Sequence, residues 1–263
     1  MPDFQAPMKI FVAIKQVPLR DSPLHPDASG KWIDEADLSF EINEPDAYAL
    51  EEALQLKEKH GGEVVVLCAG PERAAQTIRE ALAKGADRAI HIAMDNLGAL
   101  DTLGVAKLLT AAVAAEKPDL ILTGLQSDDL GSGQTGVVMA ELLGVPHSTI
   151  IMQAEVRDGS IRVKRELENG WFQHIEMPLP AVLTMQSGSN KLRYATLMGI
   201  KKAKSKEIRS VTPAELGGAP AAVAAIEKVY LPQKSKQTQI FEGDAKTAAA
   251  QLVEKLKFEV RVL

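Results

Sequence analysis

Short, unbroken apolar runs alternate along this chain with longer stretches in which apolar residues recur every three or four positions. Met8–Lys15 (MKIFVAIK) is apolar and β-branched and reads as a buried strand. Gln16–Asp37 carries Pro18, Pro23 and Pro26 and reads as a long loop, a length at which loops often serve function. Asn43 then caps a predicted helix. Pro45 stands in its first turn, Asp46 complements the positive end of its dipole, and Leu50, Ala53 and Leu54 form its inner stripe. A strand over Glu63–Leu67 ends in a turn at Gly70–Pro71. The next helix places Ala74, Ala75, Ile78, Ala81 and Leu82 on one face and closes at Gly85. Arg88–Ile92 is a further strand, Asp101 caps a helix over Thr102–Lys117, and Asp119–Thr123 is a strand. A Gly-rich loop, Gly124–Gly133, then feeds a helix at Gln134–Leu143.

Strands and helices alternating at this spacing predict an α/β fold: a doubly wound, mainly parallel sheet covered on both faces. Past Gly144 the pattern changes. Ile150–Val156, Ser160–Leu167, Trp171–Glu176 and Ala181–Met185 read as consecutive strands, the first three joined by Asp-Gly and Asn-Gly turns, and predict an antiparallel extension. Past Ile208 the chain is rich in Ala, Pro and Gly, above all over Gly217–Ala225, and reads as a linker. A short amphipathic helix follows over Asp244–Lys257. The expected division is residues 1–208 as the α/β domain with its extension, and residues 209–263 as linker and arm. That arm either packs on a partner or folds back on its own domain.

Composition narrows the function classes. Of 263 residues, 46% are hydrophobic and 25% charged, an ordinary globular balance, and the net charge of −5 gives no reason to expect nucleic acid. Cys68 is the single cysteine, so neither an intrachain disulfide nor a cysteine metal cage is available, and a reducing cytoplasm is compatible. Apolar runs such as Val64–Ala69 are too short to span a membrane, and Met1–Pro7 does not read as a signal peptide. His25, His60, His91, His147 and His174 are scattered without metal-ligand spacing. Ser187 and Ser189 lack a strand–elbow–helix setting, and Glu51–Glu52 reads as a solvated helix face. A binding or carrier protein is expected over an enzyme with side-chain acid–base chemistry.

Gly124–Gly136 (GLQSDDLGSGQTG) is the most informative segment. It follows a buried strand and opens a helix, where ligands of open α/β sheets bind. Its glycines permit close backbone approach. Amides at Gln134, Thr135 and Gly136 can donate to phosphate oxygens, and the Thr135 hydroxyl adds a donor. Asp128 and Asp129 would repel phosphate and better accept from ribose or base, or brace the loop. No lysine occupies the Walker A position, so an NTP-hydrolysing P-loop is excluded. Many strand-to-helix turns look similar and bind nothing. Ala13–Gln16, Asn43–Asp46 and Ala69–Pro71 would reach the same sheet edge. Taken singly, Asn43 is also a plain helix cap, Gly70 a turn glycine and Lys15 a solvated strand end.

Phe11–Val17 (FVAIKQV), Asn43–Ala53 (NEPDAYALEEA), Ile78–Ala89 (IREALAKGADRA), Gln134–Gly136, Val163–Thr184 and Arg193–Lys204 (RYATLMGIKKAK) together resemble the beta subunits of electron-transferring flavoproteins. The resemblance runs from about residue 8 to the end. It implies a heterodimer with an alpha subunit that holds most of the redox FAD, and an AMP buried in the beta subunit. It carries the AMP contacts onto Ala13, Asn43, Glu44, Pro45, Asp46, Ala69, Gly70, Asp128, Asp129, Gly131, Gly133, Gln134, Thr135, Gly136, Val137 and Val138. It further implies electrons taken from acyl-CoA or related dehydrogenases and passed to a membrane quinone oxidoreductase, by a cytoplasmic carrier without catalysis of its own. Arg193–Lys204 is similar to the family's partner-recognition loop, with Leu197 as anchor supported by Tyr194 and Met198, where the alternative is a Leu197 packed under its own loop; the nearby Lys201, Lys202, Lys204 and Lys206 either steer acidic partners or form a solvated face. In a bifurcating branch a second FAD replaces AMP. Gln134–Gly136 is closer to the AMP type, whereas Asp128–Gly133 departs from that type's usual Asp-Asp-Asp-x-Asn. A different class, ATP-binding stress-type proteins, shares the fold edge but usually lacks the Val163–Lys204 extension. Adenylating ligases usually carry a Ser-Gly-Gly-x-Asp loop that Gln16–Asp21 lacks.

Overall fold

The computed structural model describes residues 7–95, 98, 100–232 and 238–262; the reading of the first six residues as no signal segment lies outside them. The core element is a nine-stranded sheet. In chain order its strands and their helices are β1 (Met8–Ala13), α1 (Glu44–His60), β4 (Gly62–Gly70), α2 (Ala74–Lys84), β5 (Arg88–Ala93), α3 (Thr102–Ala114), β6 (Leu120–Gly124), α4 (Thr135–Leu143), β7 (His147–Arg157), β8 (Ser160–Glu166), β9 (Phe172–Pro178), β10 (Ala181–Met185), α5 (Leu197–Ala203) and β11 (Ile208–Val211). The strands β2 (Gln16–Pro18) and β3 (Phe40–Ile42) pair separately as a small antiparallel ribbon inside the long loop after β1. Sheet order is β11-β5-β4-β1-β6-β10-β7-β8-β9.

From β11 to β7 every pairing is parallel; β8 and β9 add antiparallel at one edge. Alternate residues of the central strands feed two cores. Ile10, Val12, Val64, Val66, Leu120 and Leu122 meet α1 and α2, with Leu50, Leu54, Ile78 and Leu82 opposite. Phe11, Val65, Leu67 and Ile121 meet α3 and α4, with Leu108, Leu109 and Met139 opposite. Burial on both faces is why these strands are uniformly apolar.

Two expectations change here. Ala181–Met185 is not part of the antiparallel extension. It inserts between β6 and β7 and runs parallel to both. All five of its residues are buried, as a central strand requires and an alternating edge strand does not. Ile208–Val211 does not start a linker but pairs with β5 at the opposite edge, with Ile208 and Val211 partly buried and Arg209 and Ser210 out. The chain divides into compact units at Val229/Tyr230 rather than at residue 208, because β11 and backbone bonds from Val223, Ala224 and Val229 hold the intervening stretch to the first unit. In the second unit Asp244 accepts from the Thr247 amide and caps α6 (Ala245–Lys255).

Glu51 and Glu52 are also corrected. Neither is solvated: they are 5% and 8% exposed. Arg193 and Asn190 fold back over α1 and satisfy them.

Candidate functional site

β1 leads by way of α1 to β4 on one side, whereas β6 leads on to α4 and the strands on the other. The connections therefore part between β1 and β6, and a crevice opens outside the carboxyl ends of these strands. A cleft of about 140 Å³ lies there, lined by Ala13 and Lys15 of the β1 end, Asn43 and Asp46, Ala69, Asp101 and Thr102, Thr123–Ser127, and Ser132–Thr135. The N-termini of α1, α3 and α4 converge on it. First-turn amides of a helix have no intrahelical acceptor and carry the positive end of the dipole, so the cleft is suited to an anion.

Two side chains hold the cleft together. Asp46 accepts from the Lys15 amide through Oδ2 at 2.7 Å and from the Gly124 amide through Oδ1 at 2.9 Å, joining the ends of β1 and β6. Burial pushes its carboxyl up to about 7, although both amides and Asn43 pull it down. Asn43 precedes α1 but makes no side-chain cap bond. Instead its Nδ2 donates to the Gln126 carbonyl and its Oδ1 accepts from the Asp128 amide, both at 2.9 Å.

The glycine loop is set by sterics. Gly131 and Gly133 have φ of 60° and 63°, in the left-handed region that favours glycine. At Gly136 a Cβ would press on Thr123 and Thr184 from the sheet below α4, so this glycine lets the helix approach. Asp129 braces the loop: it accepts from the Leu130 amide at 2.7 Å and pairs with Lys15 Nζ at 2.6 Å.

Of the residues expected to contact a nucleotide, Ala13, Asn43, Asp46, Ala69, Gly133, Gln134 and Thr135 line this cleft. Gly70 and Asp129 line an adjoining chamber of about 350 Å³ that shares Lys15, Ala69 and Asp101 with it. That chamber is walled by Phe40 under the Arg73 guanidinium (4.1 Å) and by Trp32, which donates to Glu35 at 2.9 Å. Glu44, Pro45, Asp128, Gly131, Gly136, Val137 and Val138 line neither. Glu44 faces solvent opposite Arg20, and Val138 packs against the α3–α4 core. Lys15, Ser127 and Ser132, inside segments the sequence already directed to this edge, also line the cleft, whereas Asp101 and Thr102 escaped the sequence reading as site residues. Asp101 was legible as the α3 cap. Its second role, accepting from the Val223 and Ala224 amides, needs a strand of chain more than a hundred residues away.

Far from the cleft, Tyr194, Leu197 and Met198 are 93%, 88% and 62% exposed. Leu197 is not at a loop tip. It opens the short helix α5, whose first turn is capped by Thr196 Oγ1 accepting from the Gly199 amide. Lys201, Lys202 and Lys204 are exposed, but Lys206 is not available for steering. It donates to the Leu82 and Ala86 carbonyls at the end of α2.

Among the described residues no cluster of acidic, histidine or cysteine side chains is placed to hold a metal ion, and no helix is long and apolar enough to cross a membrane.

Residues 31–216 match the family model described as "Electron transfer flavoprotein domain". The chain is 37% identical over 257 residues to the electron transfer flavoprotein subunit beta of Methylophilus methylotrophus, covering 94% of this chain and 97% of the relative. It is 38% identical over 261 residues to the mitochondrial subunit beta of Oryza sativa subsp. japonica (97% and 100%), and 35% over 242 residues to that of Bacillus subtilis strain 168 (90% and 90%).

Proposed function

The chain belongs to the electron transfer flavoprotein family as a beta subunit, and from that membership we propose an electron carrier that works in the cytoplasm as a heterodimer with an alpha subunit. The FAD of that heterodimer, held mainly by the alpha subunit, accepts electrons from an acyl-CoA or related dehydrogenase and passes them to a membrane quinone oxidoreductase. This chain contributes no acid–base or nucleophilic step. Its residues bind a nucleotide, present a docking surface and pack on the alpha subunit. For the last role we assign α6 and the turn after it, whose Leu252, Val253, Phe258 and Val260 are exposed apolar side chains.

The observation that carries the nucleotide assignment is the convergence of three helix N-termini on the β1–β6 crevice. The residues there fit an AMP. First-turn amides of α4 and the Thr135 hydroxyl would hold its phosphate, the Lys15 ammonium stands beside that loop, and the apolar walls Ala13, Ala69 and Leu109 suit a base. The bound nucleotide is structural and stabilises the fold by linkage. The adjoining chamber, with Trp32 and Phe40, favours a second reading in which a larger dinucleotide, a second FAD, extends from the same cleft.

Denaturing the purified heterodimer and identifying the released nucleotides by mass spectrometry tests both readings. One FAD with one AMP supports the plain carrier. Two FAD support the bifurcating form. FAD alone would refute a nucleotide in the cleft.

A further inference from the structure

The geometry points to Arg193 as a positioning residue for partner docking, an inference that rests on the docking reading of Tyr194, Leu197 and Met198. Exposed apolar side chains on a mobile segment lose entropy when they are captured; held in place beforehand, they lose less. Here the segment is pinned at both ends while its apolar residues stay uncovered.

The pin on the entering side is Arg193. Its Nε and Nη2 form a two-pronged pair with the buried Glu51 carboxylate at 2.8 and 3.0 Å, and its own backbone amide donates to the same carboxylate at 3.2 Å. Its Nη1 reaches Glu58 at 2.5 Å. One guanidinium thus bridges two carboxylates two turns apart on α1, which a lysine ammonium cannot reproduce with the same fork. Burial alone would raise the Glu51 carboxyl; the Arg193 bonds, together with one from Gln55, outweigh it and hold the group below its ordinary value.

The pin on the leaving side is separate. Arg79 Nη1 of α2 donates to the carbonyls of Ala203 and Lys206 at 2.6 and 2.7 Å, and Gly199 lies against the Ala83 carbonyl with no room for a Cβ. On either side of Arg193, Leu192 and Ala195 pack against the core while Tyr194 and Leu197 point out. Arg193 is the residue fastened to α1 immediately before Tyr194 and four positions ahead of Leu197, so its clamp sets where the segment that carries both leaves the surface.

The test uses the intact heterodimer and a purified acyl-CoA dehydrogenase that reduces it, with Arg193→Lys, Leu197→Ala and the double variant. Arg193→Lys keeps a positive charge beside Glu51, and Glu58→Gln opens only the exposed arm of the clamp, so at least one variant folds. The expected result for Arg193→Lys is a KM for the flavoprotein raised about five-fold or more, the scale of one weakened anchor, with kcat at saturation unchanged. Glu58→Gln should raise KM in the same direction by less. In the double variant the loss added to that of Leu197→Ala should be smaller than the loss Arg193→Lys causes alone, because Arg193 acts in part through Leu197. A lower Tm with unchanged KM, or losses that multiply in the double variant, would overturn the inference while leaving docking intact. An unchanged KM in Leu197→Ala overturns the docking reading itself, and this inference with it.

Discussion

Asn43 and Asp128, 85 positions apart, are joined by a 2.9 Å hydrogen bond from the Asp128 amide to the Asn43 carboxamide oxygen. With the second bond from Asn43 Nδ2 to the Gln126 carbonyl, one side chain holds the turn that enters the glycine loop. The position before α1 thus shapes the cleft wall and does not cap its own helix through the side chain.

Asn43→Ala should therefore strip partners from a loop amide and a loop carbonyl of exposed residues, at the net worth of a hydrogen bond, about 0.5–1.5 kcal/mol each, and lower the nucleotide content of the purified heterodimer. Asn43→Ser separates the two roles. Serine is as good a helix cap as asparagine but too short to bridge Gln126 and Asp128. Thermal melts and nucleotide content that return to wild type in the serine variant would show that capping is what Asn43 does.

Gly124 stands against α1: a Cβ there would overlap the Asp46 carboxylate and the Pro45 ring. Gly124→Ala should push α1 from the end of β6, break the Asp46–Gly124 bond, and destabilise by about 1–3 kcal/mol, as overpacking does. At Gly131 a Cβ meets open space and only the left-handed φ opposes it, so Gly131→Ala should cost about 1–2 kcal/mol of backbone strain and leave the β1–β6 junction intact. Loss of nucleotide in Gly131→Ala but not in Gly124→Ala would contradict this ordering.

Burial raises the Asp46 carboxyl to about 7 from an ordinary value of 3.8. Between these values the folded chain holds a proton that the unfolded chain has released. Stability contributed by this group therefore falls as pH rises through that window and is flat above it. Asp46→Asn should remove this downward slope. Urea unfolding followed from pH 4.5 to 7.5 checks it: a wild-type minus variant difference that stays flat across this range would mean that the two backbone donors overcome burial and keep Asp46 ionised.

Leu197 is 88% exposed, so Leu197→Ala removes no core contact. Electron transfer from the dehydrogenase should slow, by a factor of about five or more if Leu197 is an interface anchor, while FAD content, AMP content and Tm stay unchanged. A fall in Tm without a change in rate would place the docking surface elsewhere.

Much of this protein was legible in one dimension. Buried parallel strands must be apolar on both faces, so Met8–Ala13, Val64–Ala69 and Leu120–Gly124 announce themselves, and the glycine loop before α4 marks the sheet edge where a ligand belongs. Local rules could not place Ala181–Met185. Five consecutive buried residues say that a strand is central but not which strands flank it, and only the competition for β6 settles that. Nor could they foresee Glu51 and Glu52. Two carboxylates on a helix read as solvated until a guanidinium 142 positions away covers Glu51 and a carboxamide 138 positions away covers Glu52. The sequence by itself determined the central strands, α1 to α4 and the glycine turns, because those follow from contacts within a few residues, but not the short strand β11. The tertiary structure alone decided which polar groups are buried together at the cleft and along α1, because a buried charge or amide is tolerable only where a distant partner is delivered within hydrogen-bonding distance.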